Sequence, residues 1–233
     1  MFQFDGKPNR APMPSPPTSM YNAAGDRTRQ RLLDAAAACF AERGFASTSI
    51  RDITASAGCN IAAVNYYFGG KERLYYEVFA ERLTELRDRR VDAMNRLMGR
   101  GNITLEEVLR AFADAFLEPL MDDHRGRITL ALLMRDFLQS YLPQGMIWQI
   151  MIQPTLEALS NAIKKACPVL KEEELYWCIQ SLVAQLFHFL NMQKIARDNP
   201  GAVPAWNNLP GAVEHIIRFT KAGVLDYREA HPA

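Results

Sequence analysis

Between Asp26 and Leu74 the chain is cut by glycine at 44, 58 and 69–70, and this punctuation constrains the fold more than any other feature. Leu33, Ala36, Ala37 and Phe40 fall at i, i+3, i+4 and i+7, one face of a helix that Gly44 stops. Asp26 is placed to cap that helix at its start. Thr48 or Ser49 can cap a second helix, with Ile50, Ile53 and Ala57 on its buried side, and Gly58 breaks it. Asn60 can cap a third, Ile61–Phe68, before the glycine pair. Two short helices around a tight glycine-containing turn, behind a longer supporting helix, make helix-turn-helix geometry.

Past the glycine pair the pattern lengthens. Residues 71–98 read as one long Arg- and Glu-rich helix closed by Gly99 and Gly101. Thr104-Leu105-Glu106-Glu107 is a capping-box sequence that opens a helix to about Met121. Further helices are predicted over 126–140, over 144–166 with a kink at Pro154, and over 171–198. Pro210 opens a last one to about Tyr227. Strand alternation is absent throughout, so the predicted fold class is all-α. Residues 1–25, with Pro8, Pro12, Pro14, Pro16 and Pro17, are expected to form a mobile extended arm. A helix-turn-helix domain follows over 26–74 and a larger helical domain over 75–233.

Charge and composition narrow the function classes. The overall net charge of +1 looks unlike a nucleic-acid binder, yet residues 1–100 carry a net +4 and residues 101–233 a net −3. That sign fits an N-terminal part facing a polyanion. Chance variation would produce a similar asymmetry, so the charge alone does not decide. Cys39, Cys59, Cys167 and Cys178 are widely spaced and lack the pairing that zinc needs. A reducing cytoplasm is the simplest setting for them, and no secretion signal is recognised at the N-terminus. The most apolar run, 178–190, is broken by Gln180, Gln185 and His188, too short for a membrane span. No phosphate-binding glycine loop, dinucleotide fingerprint, zinc-protease motif or nucleophile elbow occurs, and the four histidines have no i, i+4 pairing. No catalytic residue, metal or cofactor is therefore expected.

On the third helix, Val64 and Phe68 share the inward face with Tyr67 beside them, while Ala62, Asn65 and Tyr66 point away, flanked by Ile61 and Ala63. Small alanines let a backbone approach DNA closely. Asn can pair bidentately with adenine, and Ala or Ile can touch a thymine methyl. The run Gly44-Phe45-x-x-Thr48-Ser49-Ile50-Arg51-Asp52-Ile53-x-x-x-Ala57-Gly58, followed by Val64-x-Tyr66-Tyr67-Phe68-Gly69-x-Lys71-Glu72-x-Leu74, resembles the TetR family of bacterial one-component regulators. Order and spacing agree without a gap. Cys59, Asn60 and Asn65 stand where that family usually has Val, Ser or Thr, and Tyr, which leaves the operator sequence open. The run 60–66 and Phe68-Gly69-Gly70-Lys71-Glu72 are similar to its CecR-type subgroup. The C-terminal domain also resembles that subgroup around Met134-Arg135-Asp136, Pro154 and 212–224.

The resemblance implies that Thr48, Asn60, Tyr66 and Lys71 contact phosphates of a double-stranded DNA operator, that Ala62, Ala63 and Asn65 carry base discrimination, and that Ile61 and Tyr67 belong to the same DNA-binding set. Arg51 either reaches the DNA backbone or is a solvated surface arginine. Arg27 and Arg29 have the same two readings, with the minor groove as a further target.

The larger domain is expected to sense an effector and to form a homodimer. The helix over 172–198 is apolar around its whole circumference, as for a helix covered on all sides. Paired with the last helix and their symmetry mates it would form a four-helix interface, as in the family it resembles. The residues expected there are Leu182, Phe189, Val213, Ile216, Ile217, Thr220 and Val224. The two-fold would set two reading heads about 34–36 Å apart on a pseudo-palindrome. Phe116, Met134, Phe137, Trp148, Met151 and Trp177 are large, adaptable residues that suit an apolar ligand, or are ordinary core. Gln185 and His188, polar within the most apolar helix, need a partner from an effector, a water or the other subunit. By family resemblance the protein is a repressor, switched by a population shift that swings the 71–98 helix as a lever. An architectural DNA-binding protein without an effector is the alternative.

Overall fold

The computed structural model describes residues 23–121, 124–139, 141–199, 201, 204 and 208–230, with the backbone alone at 23–24, 137–139 and 228–230. All but the last three residues of the expected arm lie outside these. Among the described residues every regular element is helical: α1 Ala23–Ser47, α2 Ile50–Ala57, α3 Ile61–Phe68, α4 Lys71–Met98, α5 Leu105–Met121, α6 His124–Gln139, α7 Gln153–Ala166, α8 Glu172–Asp198 and α9 Leu209–Ala230. The order is a short helical head, α1–α3, joined by the long α4 to a larger helical domain.

Helix boundaries follow local chemistry, with three departures. α1 starts at Ala23, three residues before Asp26, so Asp26 occupies the first turn, where its charge complements the helix dipole, rather than the cap. Gly44 interrupts α1 at φ 80°, ψ 170°, and one more turn follows the break. The kink expected at Pro154 is a π-helical segment, Trp148–Ile152, in which the Gln153 N–H reaches the Trp148 carbonyl five residues back. Proline has no N–H and its ring presses on the carbonyl four residues earlier; widening the preceding turn relieves both, and Pro154 then sits at the start of α7.

Two apolar cores are stacked along α4. The first joins Leu33, Ala36, Phe40, Ile53, Val64, Phe68, Leu74 and Phe79, and extends to Leu83 and to Leu132 of α6. The second begins at Leu86 and joins Met94, Leu109, Phe112, Phe116, Leu159, Ile179, Leu182, Leu186 and Ile217. α6 can lie against the end of α5 because Gly126 has no side chain: a Cβ there would come within 2.5 Å of the Pro119 carbonyl oxygen.

Candidate nucleic-acid interface and sensing domain

The reading head is held by caps at both ends of both short helices. The Ser49 and Asp52 side chains form a reciprocal box at the start of α2: Asp52 Oδ2 accepts from the Ser49 N–H at 2.9 Å, and Ser49 Oγ accepts from the Asp52 N–H at 3.2 Å. The Ser49 hydroxyl also donates to Asp52 Oδ2 at 2.7 Å, and this bond first, with the Ser49 N–H second, holds the Asp52 carboxyl below its ordinary pKa. Gly58, in the left-handed region at φ 61°, ends α2 and turns the chain. Asn60 Oδ1 then accepts the Ala62 N–H at 2.9 Å and caps α3, leaving its amide NH2 to donate outward.

This geometry exposes one face of α3. Val64 and Phe68 are buried, Ala63 and Tyr67 half-buried, and Ile61, Ala62 and Asn65 exposed; Tyr66 is 71% exposed. The Tyr66 ring stands edge-on to Tyr67 with centroids 4.9 Å apart, which steadies a side chain that otherwise has no support. Lys71, the first residue of α4, stands with Nζ 4.3 Å from the centroid of the Phe45 ring, so its ammonium is held beside the turn after α3. Arg51 is exposed on α2.

One expected contact is corrected, and Arg29 makes contacts that neither of its readings gave. Thr48 is 1% exposed, and its hydroxyl lies 2.7 Å from the Gly44 carbonyl oxygen and 3.1 Å from that of Cys39. The side chain therefore closes the break in α1 and is not available to a phosphate. Arg29 is neither free nor merely solvated: Nη2 donates to Glu77 Oε2 at 2.9 Å, and the guanidinium lies 5.4 Å from the Phe68 ring centroid. Arg27 is exposed.

A clamp between the head and the larger domain is legible only in three dimensions. Arg125 of α6 donates to Asp34 of α1 at 3.1 Å and to Glu81 and Glu85 of α4 at 2.9 and 3.1 Å. Arg82 reaches the same Asp34 oxygen at 3.0 Å. Arg135 donates to the Ala41 and Glu42 carbonyls at 2.8 and 2.6 Å. Beside it the buried Asp136 accepts from the Tyr75 hydroxyl at 3.3 Å and from the backbone of Tyr141 and Leu142. Burial raises the Asp136 carboxyl, and burial together with Asp136 pushes the Tyr75 phenol well above its usual range. The Met134-Arg135-Asp136 run had only its family resemblance to single it out.

The eight expected effector residues do not gather in one place. Phe116 is buried in the second core beside Phe112. Met134 packs against the second core, half-buried, and half-buried Met151 touches both cores. The Phe137 side chain lies outside the described ones. Trp148 and Trp177 are more than half exposed in the single chain and cannot line its interior. Gln185 donates to the Ser181 carbonyl of its own helix at 3.2 Å, and exposed His188 lines with it an open groove of about 640 Å³ between α8 and α9.

The expected interface set is also placed differently. Leu182, Phe189, Val213, Ile216, Ile217, Thr220 and Val224 are all buried inside the chain, where α8 and α9 pack on each other and on α5. The apolar circumference of α8 splits in two. Its other side leaves Tyr176, Trp177 and Phe187 exposed; on α9 Phe219 and Tyr227 are exposed too, as are the small Ala184 of α8 and Ala222 and Gly223 of α9. Among the described residues no group of three His, Cys, Asp or Glu is arranged to hold a metal, and no helix is long and apolar enough to cross a membrane.

Comparison with known proteins agrees with this architecture. Residues 32–78 match the family described as "Bacterial regulatory proteins, tetR family", and residues 110–223 match "Tetracyclin repressor-like, C-terminal domain". The HTH-type transcriptional dual regulator CecR of Shigella flexneri is 51% identical over 51 residues, 22% of this chain and 22% of its own length. The HTH-type transcriptional repressor AcnR of Corynebacterium glutamicum is 36% identical over 65 residues, 27% of this chain and 35% of its own. The likeness to these curated relatives thus spans about a third of their length or less. A TetR-like transcriptional regulator from Rhodococcus sp. RHA1 superimposes with a TM-score of 0.62 at 19% identity, covering 89% of this chain and 99% of that one. The TetR family transcriptional regulator PfmR of Thermus thermophilus does so with a TM-score of 0.59 at 19% identity, over 84% and 95%. With a helix-turn-helix of this geometry and both domain families matched in order, the chain belongs to the TetR family of bacterial transcriptional regulators.

Proposed function

We propose that the protein is a homodimeric repressor that holds a pseudo-palindromic operator and releases it on binding a small apolar or amphipathic effector. One observation carries the DNA-reading part: α3 presents Ala62, Asn65 and Tyr66 outward on a capped, short helix, with Lys71 fixed beside its end. In the major groove Asn65 would read a base edge, while Tyr66, Lys71 and the Asn60 amide would hold phosphates. The repressor assignment rests on relatives such as AcnR, which is named as one. Release would follow if the effector favours a conformer in which α4 and the α6 clamp shift the two heads out of register.

The test is a footprint on DNA upstream of the protein's own gene, followed by fluorescence anisotropy with the footprinted duplex. Asn65→Ala should weaken binding roughly 5–150-fold, the equivalent of about 1–3 kcal/mol, and relax preference at one base pair. Lys71→Ala should weaken binding to all sequences alike and lower the salt slope by about 1. Normal binding by the Asn65→Ala, Tyr66→Ala, Lys71→Ala triple variant would place the reading face elsewhere.

A further inference from the structure

The proposed function makes no use of Arg90 or of what surrounds it. Arg90 lies on α4 inside the second core, 4% exposed, with its guanidinium carbon 4.0 Å from the centroid of the Phe116 ring. Its Nε has no hydrogen-bond partner, and no hydrogen bond or ion pair of Arg90 occurs among the described residues. The carboxylates next to it in the fold point elsewhere: Asp92, Asp114 and Glu118 line an outer groove between α4 and α5 together with Arg89 and Arg96, and Arg90 is not in its wall. Burial pushes the Arg90 guanidinium down to about 9, with no carboxylate to oppose it.

A guanidinium never sheds its charge readily, so this core contains a desolvated cation with no counter-ion among the described residues. The face of one phenyl ring returns only part of the lost hydration. Stacking on that ring covers the plane of the guanidinium and leaves its edge, which is the part that pairs bidentately with a carboxylate. A second buried orphan is on α7, which packs along α4. Thr155 Oγ1 is buried without a hydrogen-bond partner.

The geometry points to Arg90 as the anchor for the anionic head of the effector, a carboxylate on an apolar body that lies against Phe116 and the core around it. This rests on the effector-responsive reading above and names the ligand class for it. The placement also supplies a route to the reading head, because Arg90 and Lys71 lie on one helix about 28 Å apart. Neutralising Arg90 alters the packing of α4 at one end, and α3 meets α4 at the other.

The experiment uses the purified full chain, wild type, Arg90→Met and Arg90→Lys, with straight-chain carboxylates from pentanoate to decanoate and with octanamide as the uncharged isostere of octanoate. Thermal melts should show octanoate raising the wild-type Tm by several degrees and octanamide by less than a third of that. Arg90→Met should melt at or above the wild type without ligand and lose the octanoate shift, while Arg90→Lys keeps part of it. Equal shifts from acid and amide, no shift across the series, an octanoate shift that survives in Arg90→Met, or a lower melting Arg90→Met would each overturn the proposal. Anisotropy with the operator separates the two readings. Octanoate should weaken wild-type DNA binding at least tenfold and that of Arg90→Met less than twofold. Binding through Arg90 without loss of DNA would leave the anion site standing and sink the effector reading. DNA release by octanamide as strong as by octanoate would do the reverse.

Discussion

Thr48 shows how one hydroxyl can be misassigned from its position in a motif. Its place just before α2 suits a phosphate contact, but Gly44 opens a gap in α1 that leaves carbonyls without their helical donors, and Thr48 reaches back to fill it. Only one hydrogen is available, so the Gly44 and Cys39 oxygens share it. Thr48→Val keeps the shape and removes the donor. Its expected cost is about 1–2 kcal/mol of stability, read as a lower midpoint in urea, because a buried acceptor loses its partner. The folded variant should bind the operator as the wild type does, whereas a lost hydroxyl–phosphate bond would weaken binding to all duplexes alike. By contrast Asn65, Ala62 and Tyr66 were legible as outward residues, since α3 is short enough for a single periodic face and Val64 and Phe68 fix which way it turns. The ring beneath Lys71 and the isolation of Arg90 were not legible, because both depend on neighbours distant in the chain: 26 residues away in each case.

At the level of elements, caps and glycines account for most boundaries. Ser49 with Asp52 and Thr104 with Glu107 are both reciprocal boxes, and both carboxyls are held below their ordinary pKa by the hydrogen bonds they accept. A depressed carboxyl contributes stability above its unfolded pKa, near 4, and that contribution disappears as the pH falls through the lower folded value. Acid should therefore loosen the starts of α2 and α5. Ser49→Ala should cost about 1 kcal/mol at pH 7. The gap between variant and wild type should narrow as the pH falls through the lowered folded value of Asp52, whose protonated carboxyl accepts more weakly from residue 49. A gap independent of pH in urea melts would show that the box adds nothing beyond the single cap bond. The π-helical segment escaped prediction for a definite reason. Pro154 announces a disturbance, but whether the preceding turns kink or widen is decided by packing of Trp148–Ile152 against α4 and α7. The same dependence on partners hid the α6 clamp: Arg125 and Arg135 look like any surface arginines until Asp34, Glu81 and the Ala41 carbonyl are brought to them.

For the whole molecule the proposed homodimer raises the question of which side of α8 would meet a second copy. An all-round apolar helix predicts that it is covered everywhere, and it does not say which residues belong to its own chain. The structure divides the residues of α8, with Leu182, Leu186 and Phe189 inside and Tyr176, Trp177 and Phe187 outside. Phe219, 61% exposed on α9, and Trp177, 55% exposed on α8, leave an apolar surface that a lone chain would have to present to water. Two substitutions distinguish the faces. Ile217→Ala, at 1% exposure, removes buried methylenes and should cost about 2–5 kcal/mol of stability in the protomer. Phe219→Glu should leave the protomer folded by circular dichroism yet place a charge in the dimer face, giving a monomer mass in sedimentation. Because the second head binds DNA already tethered, the monomer should lose about 10²–10⁴-fold in operator affinity, while contacts within each half-site are intact. A Phe219→Glu chain that still sediments as a dimer would move the interface off this face of α8 and α9.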